Sequence, residues 1–79
     1  MNPTQLSQTI YEIRVEGELG DMWAGWFEGL FIRTEWNEEN KSTITILYGP
    51  IPDQPALFSV LNKIRDLNLT LISVEKFDT

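Results

Sequence analysis

The sequence predicts an α+β fold of the ferredoxin-like βαββαβ type: a four-stranded antiparallel sheet with two helices on one of its faces. Four segments alternate apolar and polar residues with the period of a β-strand, and two segments repeat apolar residues at helical spacing. Their order is strand, helix, strand, strand, helix, strand. In this topology the first and third strands are central neighbours, and the fourth strand lies beside the first.

The first predicted strand is TIYEIRVEG, in which Tyr11, Ile13 and Val15 alternate with charged residues. After a loop over residues 17–20, Asp21 is expected to cap a helix that stops near Gly29. The apolar stripe of this helix comprises Met22, Trp23, Trp26, Phe27 and Leu30. Because this helix is barely two turns long, the alternative is a plain meander with only the second helix packed across it.

The second and third strands are predicted to pair as a hairpin around the polar turn NEENK. Residues 30–36 form the second strand, with one face made by Leu30, Ile32, Thr34 and Trp36. The third strand, STITILY, ends at Gly49. Its residues Ile44, Ile46 and Tyr48 are expected to face the helices, and Thr43, Thr45 and Leu47 are expected to face away.

The second helix is predicted to begin near Gln54, with Asp53 as its N-cap after the stiff segment GPIPDQP. Its apolar stripe comprises Leu57, Val60, Leu61, Ile64 and Leu67. Asn68 can adopt the left-handed conformation that ends the helix. The run LTLISVEKF is the fourth strand.

Length and charge narrow the classes of function. A chain of 79 residues suits one domain over residues 1–79, with residues 1–8 expected to be flexible. The net charge of -6 repels phosphate backbones and anionic lipids, so neither nucleic acid nor a membrane is an expected partner. The start, MNPTQLSQ, has no apolar run, and a soluble cytoplasmic protein is expected. No cofactor is expected.

Four stretches resemble a family of small, functionally uncharacterised bacterial proteins: YEIRVEG, WAGWFEGL, GPIPDQPAL and LNKIRDLNLTLISV. The resemblance extends from Tyr11 to Val74. It implies membership of that family and a stand-alone domain, and it carries over no activity, catalytic residue or ligand.

The tryptophans are the first candidate site. Trp26 and Phe27 are predicted to belong to the core, and Trp23 to lie at its rim. Trp36 would close one end of the core or mark an edge open to a second chain. A pocket between the aromatic helix and the sheet would be lined by the three tryptophans, with Glu28 or Arg33 as its polar group. Gly25 and Gly29 are taken as points where the helix approaches the sheet closely, and the alternative is that they leave room for a ligand or a partner backbone.

The second candidate is a self-association surface on the open face of the sheet, the face away from the helices. Its expected members are Ile10, Arg14, Leu47, Leu71, Glu75 and Phe77. Glu75 would pair across strands with Arg14. The alternative is an amphipathic face that is merely solvated.

Catalysis has little support in the composition. The chain has neither His nor Cys, so the common general base, the thiolate nucleophile and the usual zinc ligands are missing. The acids of EWNEEN lack the spacing of a calcium loop, so no metal site is expected. We therefore expect a non-catalytic interaction or regulatory module, a homodimer that binds a protein partner or a small apolar ligand. The alternatives are a cofactor-independent enzyme with an aromatic pocket and a structural subunit of a larger assembly.

Overall fold

A computed structural model describes residues 9–20, 23, 25–27 and 29–78. These residues form the strands β1 (Thr9–Glu16), β2 (Phe31–Asn37), β3 (Ser42–Pro50) and β4 (Thr70–Asp78), with the helix α1 (Gln54–Asp66) between β3 and β4. The strands make one antiparallel sheet in the order β2-β3-β1-β4. The expected pairing of β1 with both β3 and β4 is present. The prediction about residues 1–8 concerns a segment outside the described residues.

The predicted ferredoxin-like βαββαβ sandwich is wrong, because the described residues contain one helix longer than a single residue and their elements follow the order strand, strand, strand, helix, strand. The plain meander is wrong as well, since β3 lies between β1 and β2. The part of the chain that the structure describes contains no helix long and apolar enough to cross a membrane.

Of the segment in which a first helix was predicted, the structure describes Trp23, residues 25–27 and Gly29. Trp23 is helical, but residues 25–27 form a turn and a bend. Three backbone hydrogen bonds each join residues three apart: Trp23 N–H to Gly20 O, Trp26 N–H to Trp23 O, and Leu30 N–H to Phe27 O. This spacing is typical of short 3₁₀-type turns, and Gly29, with φ of 84°, stops any continuation. Asp21, Met22 and Glu28 of the predicted helix lie outside the described residues.

Helix α1 matches its prediction closely because its signals are local. The Ala56 N–H donates to Asp53 Oδ1 at 2.9 Å, which is the expected N-cap bond. Asn68, with φ of 60°, supplies the expected left-handed residue after the helix. Leu57 and Ile64 are buried against the sheet. The helix therefore covers one face of the sheet and leaves the other face open.

The faces of β3 are reversed relative to the prediction. Antiparallel partners point to the same side of a sheet, and the buried residues Ile13 and Val15 of β1 oppose Leu47 and Thr45. Leu47 and Thr45 therefore face α1, while Ile44, Ile46 and Tyr48 lie on the open face. Both faces of β3 carry apolar residues, so alternation alone does not identify the buried one.

Thr45 shows why this register is stable. Its side chain is fully buried, and its Oγ1 donates to the Gly17 carbonyl oxygen at 2.7 Å. The same oxygen accepts from the Leu19 N–H at 3.3 Å. One buried hydroxyl thus binds the loop after β1 and holds the side chain of Leu19 in the core.

Candidate functional site

The aromatic corner, which we define as Trp23, Trp26, Phe27 and Lys63, lies where the segment around Trp26 meets α1. The Trp23 and Trp26 rings are tilted against each other with centroids 5.4 Å apart, and the Phe27 ring lies edge-on to Trp26 at 6.4 Å. Lys63 Nζ donates to the Trp26 carbonyl oxygen at 2.8 Å and lies 5.9 Å from the centre of the Trp26 ring. Lys63 therefore links the helix by a hydrogen bond to the segment around Trp26, which we call the turn segment.

Only one of these three rings belongs to the core. Phe27 is 2% exposed, as expected, whereas Trp26 is 38% exposed and Trp23 is 42% exposed. The prediction that Trp26 is buried is wrong. Tight turns send consecutive side chains in different directions, so Phe27 enters the core and Trp26 remains beside it at the surface. The expected rim position of Trp23 agrees with its exposure.

A cleft of about 240 Å³ opens next to the aromatic corner. Phe27 and Leu30 line one side, the segment 50–52 forms an end wall, and the helix contributes the rest. The helical lining residues are Ala56, Ser59, Val60 and Lys63. The two prolines of the segment, Pro50 and Pro52, have restricted backbones and make that wall stiff.

The three tryptophans do not line one pocket. Trp36 lies at the other end of β2, beside the hairpin turn, and its Nε1–H donates to Glu38 Oε2 at 2.8 Å. It lies five positions after Phe31, the first residue of β2, which corresponds to about 17 Å along an extended strand. Trp36 is exposed and cannot share a ligand with the aromatic corner.

The two predicted polar groups of the pocket are not found with the tryptophans. Arg33 lies on the open face, opposite Ile46, and its side chain extends over the Tyr48 ring at 5.6 Å. Glu28 lies outside the described residues. Gly25 is not a close-approach point, because a Cβ added there would meet nothing within 4 Å. At Gly29 the backbone does approach the sheet, since its carbonyl oxygen lies 3.1 Å from the position of a Cβ on Gly49, although the space beside Gly29 itself is open.

The predicted self-association residues divide between three environments. Ile10, Arg14, Glu75 and Phe77 lie on the open face, as expected. Leu47 is wrongly assigned to that face, since it is 1% exposed in the core. Leu71 is also wrongly assigned, because it opposes Val15 and so points to the helix side. A register shift in β4 between the partners of Arg14 and Val15 causes this change of side.

The open face is covered by ion pairs. Arg14 Nε contacts Glu12 Oε1 at 3.3 Å, and Arg33 Nε contacts Glu35 Oε2 at 3.3 Å. Between these arginines, Ile46 is fully buried although it lies on the side away from α1. The stems of the flanking arginines explain that burial. The expected pairing of Glu75 with Arg14 is not found, because Glu75 opposes Glu12.

Two acids of the β2–β3 hairpin, Glu35 and Glu38, contact bases and hydrogen-bond donors close to them in the sequence. Glu35 contacts Arg33, and Glu38 contacts both Lys41 at 3.5 Å and the Trp36 indole. No cluster of three or more potential metal-ligating side chains is found within the described part of the chain.

Sequence reasoning missed most of the cleft, although two signals for it were present. The three prolines of GPIPDQP indicate a rigid wall before α1. Ala56, Ser59, Val60 and Lys63 recur at spacings of three and four, which places them together on one flank of the helix. What could not be read from the chain is that this flank faces Phe27 and Leu30.

Comparison with known proteins gives one family. The model described as Domain of unknown function (DUF8691) matches residues 10–75. Neither a curated protein nor a solved structure matches the chain. The match bears out the expected membership of a functionally uncharacterised family.

Proposed function

The chain belongs to the family described as Domain of unknown function (DUF8691), and we propose that it is a non-catalytic interaction module. In this proposal the cleft beside the aromatic corner takes one apolar side chain from a partner polypeptide. The Lys63 ammonium group contacts a carboxylate close to that side chain. Trp23 and Trp26 cover the bound segment from one side.

The observation that carries this proposal is the pair of half-exposed indoles beside a cleft whose lining residues, apart from Ser59 and Lys63, are apolar. Each tryptophan can bury about 150 to 250 Å² on contact with a partner. Such rings dominate the energetics of many protein interfaces, particularly where they border a pocket. Trp23 and Trp26 contact each other, so a partner would meet one continuous aromatic surface.

The size of the cleft favours a single side chain over a larger ligand. Pockets for drug-sized molecules usually measure about 300 to 1,000 Å³, and an apolar cavity of about 150 Å³ holds benzene. The cleft, at about 240 Å³, lies between these values. A phenylalanine or leucine side chain would fill it, and a larger metabolite would project into solvent.

Lys63 determines the charge that the partner should carry. It is the one charged residue among those that line the cleft in the described structure. One of its N–H groups is used by the Trp26 carbonyl oxygen, which leaves two donors for a ligand. A carboxylate near the apolar side chain would satisfy both the charge and the donors.

N-acetyl-phenylalanine tests the proposal because it combines an aromatic side chain with a free carboxylate. N-acetyl-phenylalanine amide is its neutral match. At about 0.3 kcal/mol for each of its roughly 15 non-hydrogen atoms, the acid should bind with a Kd of about 1 mM. Backbone amide chemical shifts would locate the site, and changes are expected at Ala56, Ser59 and Val60. The neutral amide should bind several-fold more weakly.

Two variants sharpen the assignment. Ser59→Phe fills the cleft from an exposed helical position and should abolish the shifts, whereas Asn62→Phe places the same ring on an exposed position outside the cleft lining and should leave them unchanged. Lys63→Gln should remove the preference for the acid over the amide. Shifts that appear elsewhere, or that survive in Ser59→Phe, would show that the cleft is not the binding site.

A further inference from the structure

Strand β4 lies at one edge of the sheet, and several of its exposed side chains are apolar. Leu71, Ile72 and Val74 are 47%, 48% and 38% exposed, and we call these three residues the β4 strip. Residues 70–74 include no charged side chain. An edge strand also presents unpaired backbone N–H and C=O groups along its outer side.

The other edge of the sheet is different. Strand β2 carries Arg33 and Glu35 in its middle, and these two side chains are paired with each other. Charged residues on an edge strand oppose pairing with a second strand. Strand β4 also carries Glu75, Lys76 and Asp78, but these lie in its second half, and its residues 70–74 are uncharged. The two edges are therefore not equivalent, and the first half of β4 is the part suited to strand addition.

The apolar surface beside β4 continues onto the helix. The cleft occupies the flank of α1 that carries Ala56, and Phe58 lies about 200° further round the helix, on the opposite flank. The cleft is bordered by Leu30 and Pro50 on the β3 side, so the Phe58 flank points toward β4, which α1 contacts. Phe58 is 56% exposed.

We propose that β4 pairs antiparallel with β4 of a second copy of this chain, to give a homodimer with one continuous eight-stranded sheet. A two-fold axis normal to the sheet relates the two antiparallel β4 strands. The helix-covered faces of the two copies then lie on the same side of the combined sheet. The two β4 strips then meet on the same face, and the two edges supply each other's missing backbone hydrogen bonds. A second copy fits because the surface is complementary to itself.

Charge restricts the register of this pairing. An axis centred on Glu75 would place two carboxylates directly opposite each other, which is unfavourable. Centring on Ile72, Ser73 or Val74 separates the two copies of Glu75 by at least two positions along the strands. The uncharged part of β4 then lies at the centre of the interface.

The open face is the less suitable surface for a second copy. Arg14 and Arg33 are already paired with Glu12 and Glu35, and burying these ion pairs would require their desolvation. The β4 strip carries no such groups. Self-association was predicted from the sequence on the open face of the sheet. The interface proposed here lies instead at the β4 edge.

Light scattering and sedimentation from micromolar to millimolar protein test the proposal. A dimer is expected, and the -6 charge on each copy should make its dissociation constant fall as salt rises to about 1 M, where the Debye length is about 3 Å. A monomeric mass throughout this range would overturn the proposal.

Matched substitutions locate the interface. One row of directly opposed residues crosses the sheet in the order Thr34, Thr45, Val15, Leu71. Thr34 and Leu71 lie at its two ends, on the two edge strands, and both are exposed. Leu71→Asp should raise the dissociation constant at least tenfold, and Thr34→Asp should leave it unchanged. Circular dichroism would verify that both variants are folded. Equal weakening by both, or weakening by Thr34→Asp alone, contradicts an interface at β4.

The absence of cysteine from the chain allows a direct test of register. Single substitutions Ile72→Cys, Ser73→Cys and Val74→Cys would place one thiol near the proposed axis. Directly opposed residues lie about 4.5 to 5.5 Å apart between Cα atoms, which suits a disulfide. One of the three should form a covalent dimer rapidly on mild oxidation, whereas Thr34→Cys should not. Cross-linking that is as fast at Thr34 would place the interface elsewhere.

Discussion

Replacing Thr45 with valine removes one oxygen atom from the centre of the fold and almost nothing else. The Thr45 hydroxyl is fully buried, donates to the Gly17 carbonyl oxygen and accepts from the Leu19 N–H. Valine has nearly the same shape, so the packing of neighbouring side chains is retained. Any loss of stability then reports on the two hydrogen bonds that hold the loop after β1.

The expected loss of stability follows from the two backbone groups that lose their hydrogen-bond partner, the Leu19 N–H and the Gly17 carbonyl oxygen. A buried N–H without a partner costs about 1 to 3 kcal/mol, and the loss of the bond to the part-buried carbonyl adds about 0.5 to 1.5 kcal/mol. The additional buried methyl group of valine offsets about 0.8 kcal/mol. The free energy of unfolding should therefore fall by about 2 kcal/mol.

Chemical and thermal unfolding measure this change. For a domain of this size, about 2 kcal/mol corresponds to a decrease in Tm of about 8 to 16 °C. With an m-value of about 1 kcal/mol/M, the urea midpoint should fall by about 2 M. Amide hydrogen exchange at Leu19 should accelerate more than exchange in α1, because the loop loses its anchor directly.

Thr34→Val is the matched control. Thr34 is the partner of Thr45 on the neighbouring strand and faces the same side of the sheet, but it is exposed. Its substitution should change the free energy of unfolding by no more than about 0.5 kcal/mol. If Thr45→Val matches wild type to the same extent, the hydroxyl does not hold the loop and our account of the register of β3 is wrong.

Two further substitutions test the core and the turn segment. Ile64→Ala should lower the free energy of unfolding by about 2 to 5 kcal/mol because the side chain is 3% exposed, while Asn62→Ala, at an exposed position of the same helix, should cost far less. A cooperative melt close to wild type for Ile64→Ala would contradict its core position. Gly49→Ala should cost about 1 to 3 kcal/mol, because φ is 151° and the new Cβ would lie 3.1 Å from a backbone oxygen of the turn segment. Gly25→Ala should leave the free energy of unfolding unchanged in urea titrations, because the space around the added Cβ is open. Equal effects of the two glycine substitutions would show that the turn segment does not pack against Gly49.

The elements predicted most accurately are those defined by nearest neighbours along the chain. The N-cap at Asp53, the apolar stripe of α1 and the left-handed Asn68 all depend on interactions within a few residues. The pairing of β2 with β3 depends on a short turn between them. In each case the physical cause is present in the sequence itself.

The β3 strand illustrates where this reasoning fails. One of its faces carries Ile44, Ile46 and Tyr48, and the other carries Thr45 and Leu47. Hydrophobicity favours the first set for burial, but the second set faces α1. The choice depends on the buried hydroxyl of Thr45, which binds a loop more than 25 residues away.

The sequence by itself determined the four strands, the helix α1 with both of its ends, and the membership of an uncharacterised family, because these depend on local periodicity, capping and motif. Only the tertiary structure decided that the segment around Trp26 forms turns, that its indole stays exposed beside a cleft, and that Leu71 turns to the helix side of an apolar edge. Those features depend on which distant groups compete for a limited buried volume. Phe27 occupies the available core space, and the neighbouring Trp26 ring therefore remains exposed.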